Sequence, residues 1–96
     1  MKLTSEVLLI KLLPSMISFK YTVIYPVIYI YNENKDILLA VYSYDKKKKV
    51  LFVSDYNNTK YRYMSLYEFN TNNWKILTKS EYEEIIYQLE PLGLPF

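Results

Sequence analysis

The sequence predicts an α+β domain, an antiparallel meander of four to five strands flanked by an N-terminal and a C-terminal helix. Three observations predict it. Residues 21–31, YTVIYPVIYIY, alternate aromatic with β-branched residues, as a well-covered strand prefers. Polar stretches rich in Asn, Asp and Lys then punctuate the chain at 32–36, 45–49, 56–59 and 70–73, each reading as a turn. Helix-like patterning is confined to the two ends. A chain of 96 residues holds one domain, 1–96, and buries roughly 60–70% of its unfolded surface without staples.

The elements follow in order. Thr4 or Ser5 caps a short helix, with Glu6 in its first turn. Val7, Leu8, Leu9, Ile10, Leu12 and Leu13 give that helix a wide apolar surface broken only by Lys11, and Pro14 ends it. Such a helix is expected to be buried on more than one side, within the monomer or against a second copy. A long strand over about 20–31 comes next. Pro26 inside it cannot donate a ladder hydrogen bond, so an edge position or a bulge is expected there. A second strand spans Ile37 to Tyr44. A loop at 33–34, or at 32–35, pairs Ile28 with Leu39 and Tyr25 with Tyr42. One face then carries Ile24, Ile28, Ile30, Ile37, Leu39 and Val41, and the other Tyr25, Tyr29, Tyr31, Tyr42 and Tyr44.

Val50 to Asp55 reads as a third strand, Lys60 to Phe69 as a fourth and Trp74 to Leu77 as a short fifth. Thr78-Lys79-Ser80-Glu81 is a capping box. It opens a helix with Tyr82, Ile85, Ile86 and Leu89 at i, i+3, i+4 and i+7, stopped by Pro91. The tail Leu92 to Phe96 is apolar and is expected to pack on its own core rather than enter a partner. Both helices are expected on one face of the sheet.

Composition excludes much chemistry. The chain has neither histidine nor cysteine, which removes thiolate nucleophiles, triad-type nucleophiles and most zinc sites. Its one glycine, Gly93, leaves no glycine-rich loop to cradle phosphate. Only carboxylates remain for a metal, and Asp36, Asp45, Asp55, Glu33 and Glu68 read as turn and surface charges. Glu33-x-Lys35 mimics the end of a nuclease signature, but it falls in a turn with no aspartate before it. No enzyme activity, cofactor or metal is therefore expected. The absence of cysteine fits a reducing, cytoplasmic compartment. Met1-Lys2 and the apolar run after it lack a cleavage site and are too short to span a bilayer, so no membrane is expected. Eleven lysines to one arginine, with many Ile, Tyr and Asn, suggest an AT-rich coding sequence and a viral or mobile-element origin.

Two features point to interaction. With 12 tyrosines, the face bearing Tyr25, Tyr29, Tyr31, Tyr42 and Tyr44 is too apolar to be left open if helices cover only the other face. Tyrosine suits interfaces, so a self-associating, dimeric arrangement is the first expectation, through that face or the N-terminal helix, with a further protein partner to bind. The alternative is single-stranded nucleic acid, with bases stacked on the tyrosines and phosphates held by Lys46, Lys47, Lys48, Lys49 and Arg62. Lys20 and Lys60 would frame such a platform. The lysine run also has a plain reading, as solubility and protection of a sheet edge, which the net charge of +2 does not oppose.

Overall fold

The computed structural model describes residues 5–15, 25–57 and 59–89. The order is α1 (Ser5–Leu12), β1 (Ile28–Asn32), β2 (Ile37–Asp45), β3 (Val50–Asp55), β4 (Tyr61–Ser65), α2 (Leu66–Thr71), β5 (Trp74–Ile76) and α3 (Lys79–Leu89). The five strands form one antiparallel sheet in the order β4-β3-β2-β1-β5. Strands β1 to β4 are the expected meander. The chain then crosses the sheet through α2, and β5 pairs with the far side of β1. Ile24, Lys20 and the tail Leu92 to Phe96 lie outside the described residues.

The two sharp hairpins are built alike. Residues 33–36 link β1 to β2, and residues 46–49 link β2 to β3. Asn32 Oδ1 accepts from the Lys35 amide, and Asp45 Oδ1 accepts from the Lys47 and Lys48 amides at 2.9 and 3.2 Å. The last loop residue of each, Asp36 and Lys49, takes φ 56°. An Asx side chain opens the turn and a left-handed residue closes it. The first loop is four residues placed one position later than expected. Ile28 therefore faces Val41, and Ile30 faces Leu39. This two-residue slip preserves the side-chain alternation, so Ile28, Ile30, Leu39 and Val41 do share a face. Ile37 points the same way but sits exposed at the end of the sheet.

β1 is shorter than expected. Tyr25, Pro26 and Val27 precede it, and only the Val27 amide reaches the sheet, at Val41 O. Pro26 thus stands before a central strand rather than within an edge strand. The fourth strand also stops early. Ser65 ends it, and the Ser65 hydroxyl accepts the Glu68 amide at 3.0 Å, capping α2. Ser65-x-x-Glu68 is the start signal of that helix, hidden in the sequence by the Tyr67 and Phe69 alternation.

One face of the sheet is the main core. Ile30, Leu39, Val41, Leu51, Val53 and Met64 pack there against Leu9 and Leu13 from the first helical segment and Phe69 from α2. α1 buries this one side only, leaving Ile10 and Leu12 40–44% exposed, so it is not sandwiched within the monomer. Asn32, also buried on this face, is satisfied by its two turn contacts, donating to Asn72 O at 2.6 Å.

α3 does not join the other helices. Leu77 extends β5 alongside β1 through its amide to Tyr29 O, and Thr78 and Glu81 then exchange capping hydrogen bonds. With the core face filled by α1 and α2, α3 lies over the opposite face, where Tyr82 stacks on Tyr29 at 3.9 Å. The expectation of both terminal helices on one face is corrected here.

Candidate interaction surface

The separation of Tyr42 from Tyr44 depends on one irregularity in β2. Val41 pairs with Val53, but Ser43 pairs with Phe52, so Tyr42 is an extra residue in the ladder. A β-bulge of this kind leaves two residues opposite one and restarts the alternation on the other side. Tyr42 stays with Phe52 on the face away from α1, while Tyr44 turns into the core beneath α1. No glycine or proline marks the bulge.

Tyr44 is nearly fully buried, and its hydroxyl donates to Glu6 Oε2 at 2.8 Å. Burial, and then the Glu6 acceptor, push the Tyr44 phenol well up from its ordinary value. Glu6 also takes Lys49 Nζ at 2.8 Å. The Lys49 ammonium and the Tyr44 hydroxyl hold the Glu6 carboxyl below its ordinary value. The Tyr44 amide donates to Pro14 O at 3.0 Å, so the chain leaving α1 covers the rim of β2 beyond the end of β1.

On the opposite face, Tyr42 lies at the bottom of an aromatic cluster. It is 1% exposed. Its ring meets Phe52 at 5.7 Å and Tyr61 at 5.6 Å. Phe52 lies parallel to Tyr61, with centroids 5.6 Å apart and planes 7° apart, and tilts against Tyr63 at 5.2 Å. Such offset and tilted geometries are the favourable ones for aromatic pairs. Ser54 Oγ donates to Asp55 O at 2.8 Å, so the Tyr42 hydroxyl is the donor in its 2.9 Å bond to Ser54 Oγ. Burial raises the Tyr42 phenol from its ordinary value. The cluster rises toward solvent at the β4 rim, where Tyr61 and Tyr63 are 44% and 64% exposed.

The five expected tyrosines are therefore not one platform. Tyr25 is exposed but stands outside the sheet. Tyr29 is half-buried under Tyr82, and burial with the Tyr82 contact raises its phenol. Tyr31 donates to Asp36, which raises its own phenol. Tyr42 floors the cluster and Tyr44 is on the other face. Tyr61 and Tyr63 stand exposed instead, packed on the buried Phe52 ring. Alternation of Tyr61 with Tyr63 on the last strand of the meander was the available signal for it.

The basic residues are dispersed as well. Lys46, Lys47 and Lys48 are exposed in the β2–β3 turn, whereas Lys49 pairs with Glu6. Arg62 alternates onto the α1 and α2 side of β4 and pairs with Glu68 at 3.1 Å. Between β1 and α3 a cleft of about 380 Å³ is walled by Val27, Tyr29, Leu77 and Tyr82, with Lys79 and Glu83 at its rim. A second, of about 220 Å³, lies between Tyr31, Lys75, Glu81 and Glu84. Among the described residues no three carboxylates converge as a metal site, and no helix is long and apolar enough to cross a membrane.

No family model, curated protein or solved structure matches this chain.

Proposed function

We propose that this protein is a small non-enzymatic interaction module that associates with a second copy of itself through the aromatic surface at the β3–β4 rim. One observation carries the reading. Tyr42 and Phe52 are buried, yet Tyr61 and Tyr63, packed on the same rings, stand open to solvent. Tyrosine clusters next to a sheet edge have the composition of interface cores. Sedimentation equilibrium over a concentration series tests it. The wild type is expected to rise from 11.6 kDa toward twice that mass, and the Tyr61→Ser/Tyr63→Ser variant, folded by circular dichroism, to remain at 11.6 kDa. A wild type that stays monomeric at millimolar concentration overturns the proposal.

A second reading, single-stranded nucleic acid, is favoured by the exposed Lys46, Lys47 and Lys48, whose turn adjoins the Ser65 end of β4 through the Leu66 amide and Lys49 O. Anisotropy of labelled oligonucleotides across a salt series tests that reading. Binding whose salt slope flattens when the three lysines are neutralised supports it, and no binding at low salt removes it.

A further inference from the structure

β4 is the last strand on its side of the sheet, and its register fixes which backbone groups are left over. The Leu66 amide donates to Lys49 O, and Lys60 O accepts from the Asp55 amide. Both contacts lie on the register that pairs Tyr63 with Phe52. In an antiparallel ladder, bonded and non-bonded pairs alternate. Met64 and Arg62 therefore exchange bonds with β3, Tyr61 and Tyr63 turn their N–H and C=O groups outward, and Ser65 turns its N–H outward while its C=O opens the α2 ladder. On that outer rim the hydrogen bond from the described residues is the 3.3 Å contact from the Arg62 guanidinium to Tyr63 O.

We infer that β4 of one copy pairs antiparallel with β4 of a second about a two-fold axis, joining the two sheets into one. This rests on the self-association reading and specifies its geometry. Three features of the strand fit a second copy. Tyr63 is the middle residue of Tyr61–Ser65 and is outward-bonding, so full overlap places Tyr63 opposite its own counterpart with the correct hydrogen-bond parity. Tyr61 then faces Ser65 of the other copy, and the Ser65 N–H donates to Tyr61 O on each side of the central pair. Had the middle residue bonded inward, the same overlap would have left only the two Arg62–Met64 pairs to bond. In the same register Arg62 faces Met64 of the other copy rather than another arginine, and Glu68 already neutralises it. Like charges are thus kept apart where they would be most damaging. Finally, Tyr61 and Tyr63 project on the face that carries Phe52, so the paired strands bring both aromatic clusters into one layer.

The size of the contact sets its strength. An aromatic side chain buries 150–250 Å², so rings exposed at 44% and 64% contribute only about 200 Å² per copy. With one short strand added, the interface stays at the small end, under roughly 1,200 Å². Association on the order of tens of micromolar to millimolar is expected, not a permanent dimer.

Residue-resolved amide exchange by NMR, at 20 µM and at 1 mM, with sedimentation on the same samples, tests the pairing. The Tyr61, Tyr63 and Ser65 amides are expected to exchange about two- to sixfold more slowly at 1 mM than at 20 µM, in proportion to the fall in free monomer. The Met64 and Arg62 amides, already bonded to β3, are expected to change little. Association with no added protection at Tyr61 and Tyr63 overturns strand pairing and leaves the interaction reading standing, with copies meeting elsewhere. No association at 1 mM overturns both. Protection of those amides that follows added oligothymidylate rather than protein concentration overturns the second copy as the occupant and assigns the rim to nucleic acid.

Discussion

Replacing Tyr42 separates a core ring from a binding ring. Its hydroxyl bonds Ser54, whose own hydrogen remains committed to Asp55 O, so Tyr42→Phe leaves the Ser54 donor satisfied. The buried neutral bond to Ser54 is worth about 1 kcal/mol. Tyr42→Ala removes the whole ring at a site 1% exposed and takes a neighbour from both Phe52 and Tyr61. Aromatic-to-alanine changes in cores cost about 3–5 kcal/mol. A chain of this length has a total stability of about 5–14 kcal/mol, so the alanine variant retains only part of it. Urea unfolding followed by circular dichroism is the assay. With a slope of about 2 kcal/mol per molar urea, the midpoint is expected to fall by about 0.5 M for Tyr42→Phe and about 2 M for Tyr42→Ala. An alanine variant within 1 kcal/mol of wild type would refute the buried placement and return Tyr42 to an open surface.

Other substitutions probe the remaining joints. Ser65→Ala removes the cap of α2 and is expected to cost about 1 kcal/mol by the same urea assay, with Ser65→Asp close to neutral. Asn73 holds φ 61° between α2 and β5, so Asn73→Val is expected to destabilise by about 1–2 kcal/mol while Asn73→Gly does not, again by urea midpoint. Lys75, followed by the Thr78 amide, lowers the Glu81 carboxyl from its ordinary 4.5 to about 2. A carboxyl depressed on folding stabilises above its unfolded value, so this contribution is complete above pH 4.5 and fades as pH falls toward about 2. Thermal melts across that window are expected to show a shallower acid limb for Glu81→Gln. Glu6, also lowered, gives the same sign, and Glu6→Gln is expected to flatten the limb further.

The legible parts of this fold are those with local chemical marks. The capping box at Thr78 announced α3, Pro14 ended the first helical segment, and the Asn and Asp turns divided the meander correctly. Even the slipped β1–β2 register did little harm, because an even slip keeps each side chain on its face. The bulge was different. It needs only one extra residue, Tyr42 and Ser43 are ordinary strand formers, and its effect is to send Tyr44 to the opposite face. Strict alternation therefore grouped Tyr42 with Tyr44. The side chosen by α3 was equally hidden, since an amphipathic helix states that it has an apolar stripe and not which surface still has room for it. For these two reasons the five grouped tyrosines do not share one open face, and Tyr61 and Tyr63 stand exposed beside Phe52.

Site-resolved chemical labelling of tyrosine, read by mass spectrometry, tests the two-sided sheet most directly. In dilute protein, Tyr25, Tyr63, Tyr67 and Tyr87 are expected to label quickly and Tyr61 at an intermediate rate, while Tyr42 and Tyr44 stay protected until unfolding. Raising the concentration is expected to slow Tyr61 and Tyr63 selectively. Labelling of Tyr44 as fast as Tyr63 in the folded protein, or a Tyr63 rate indifferent to concentration up to 1 mM, would contradict the account.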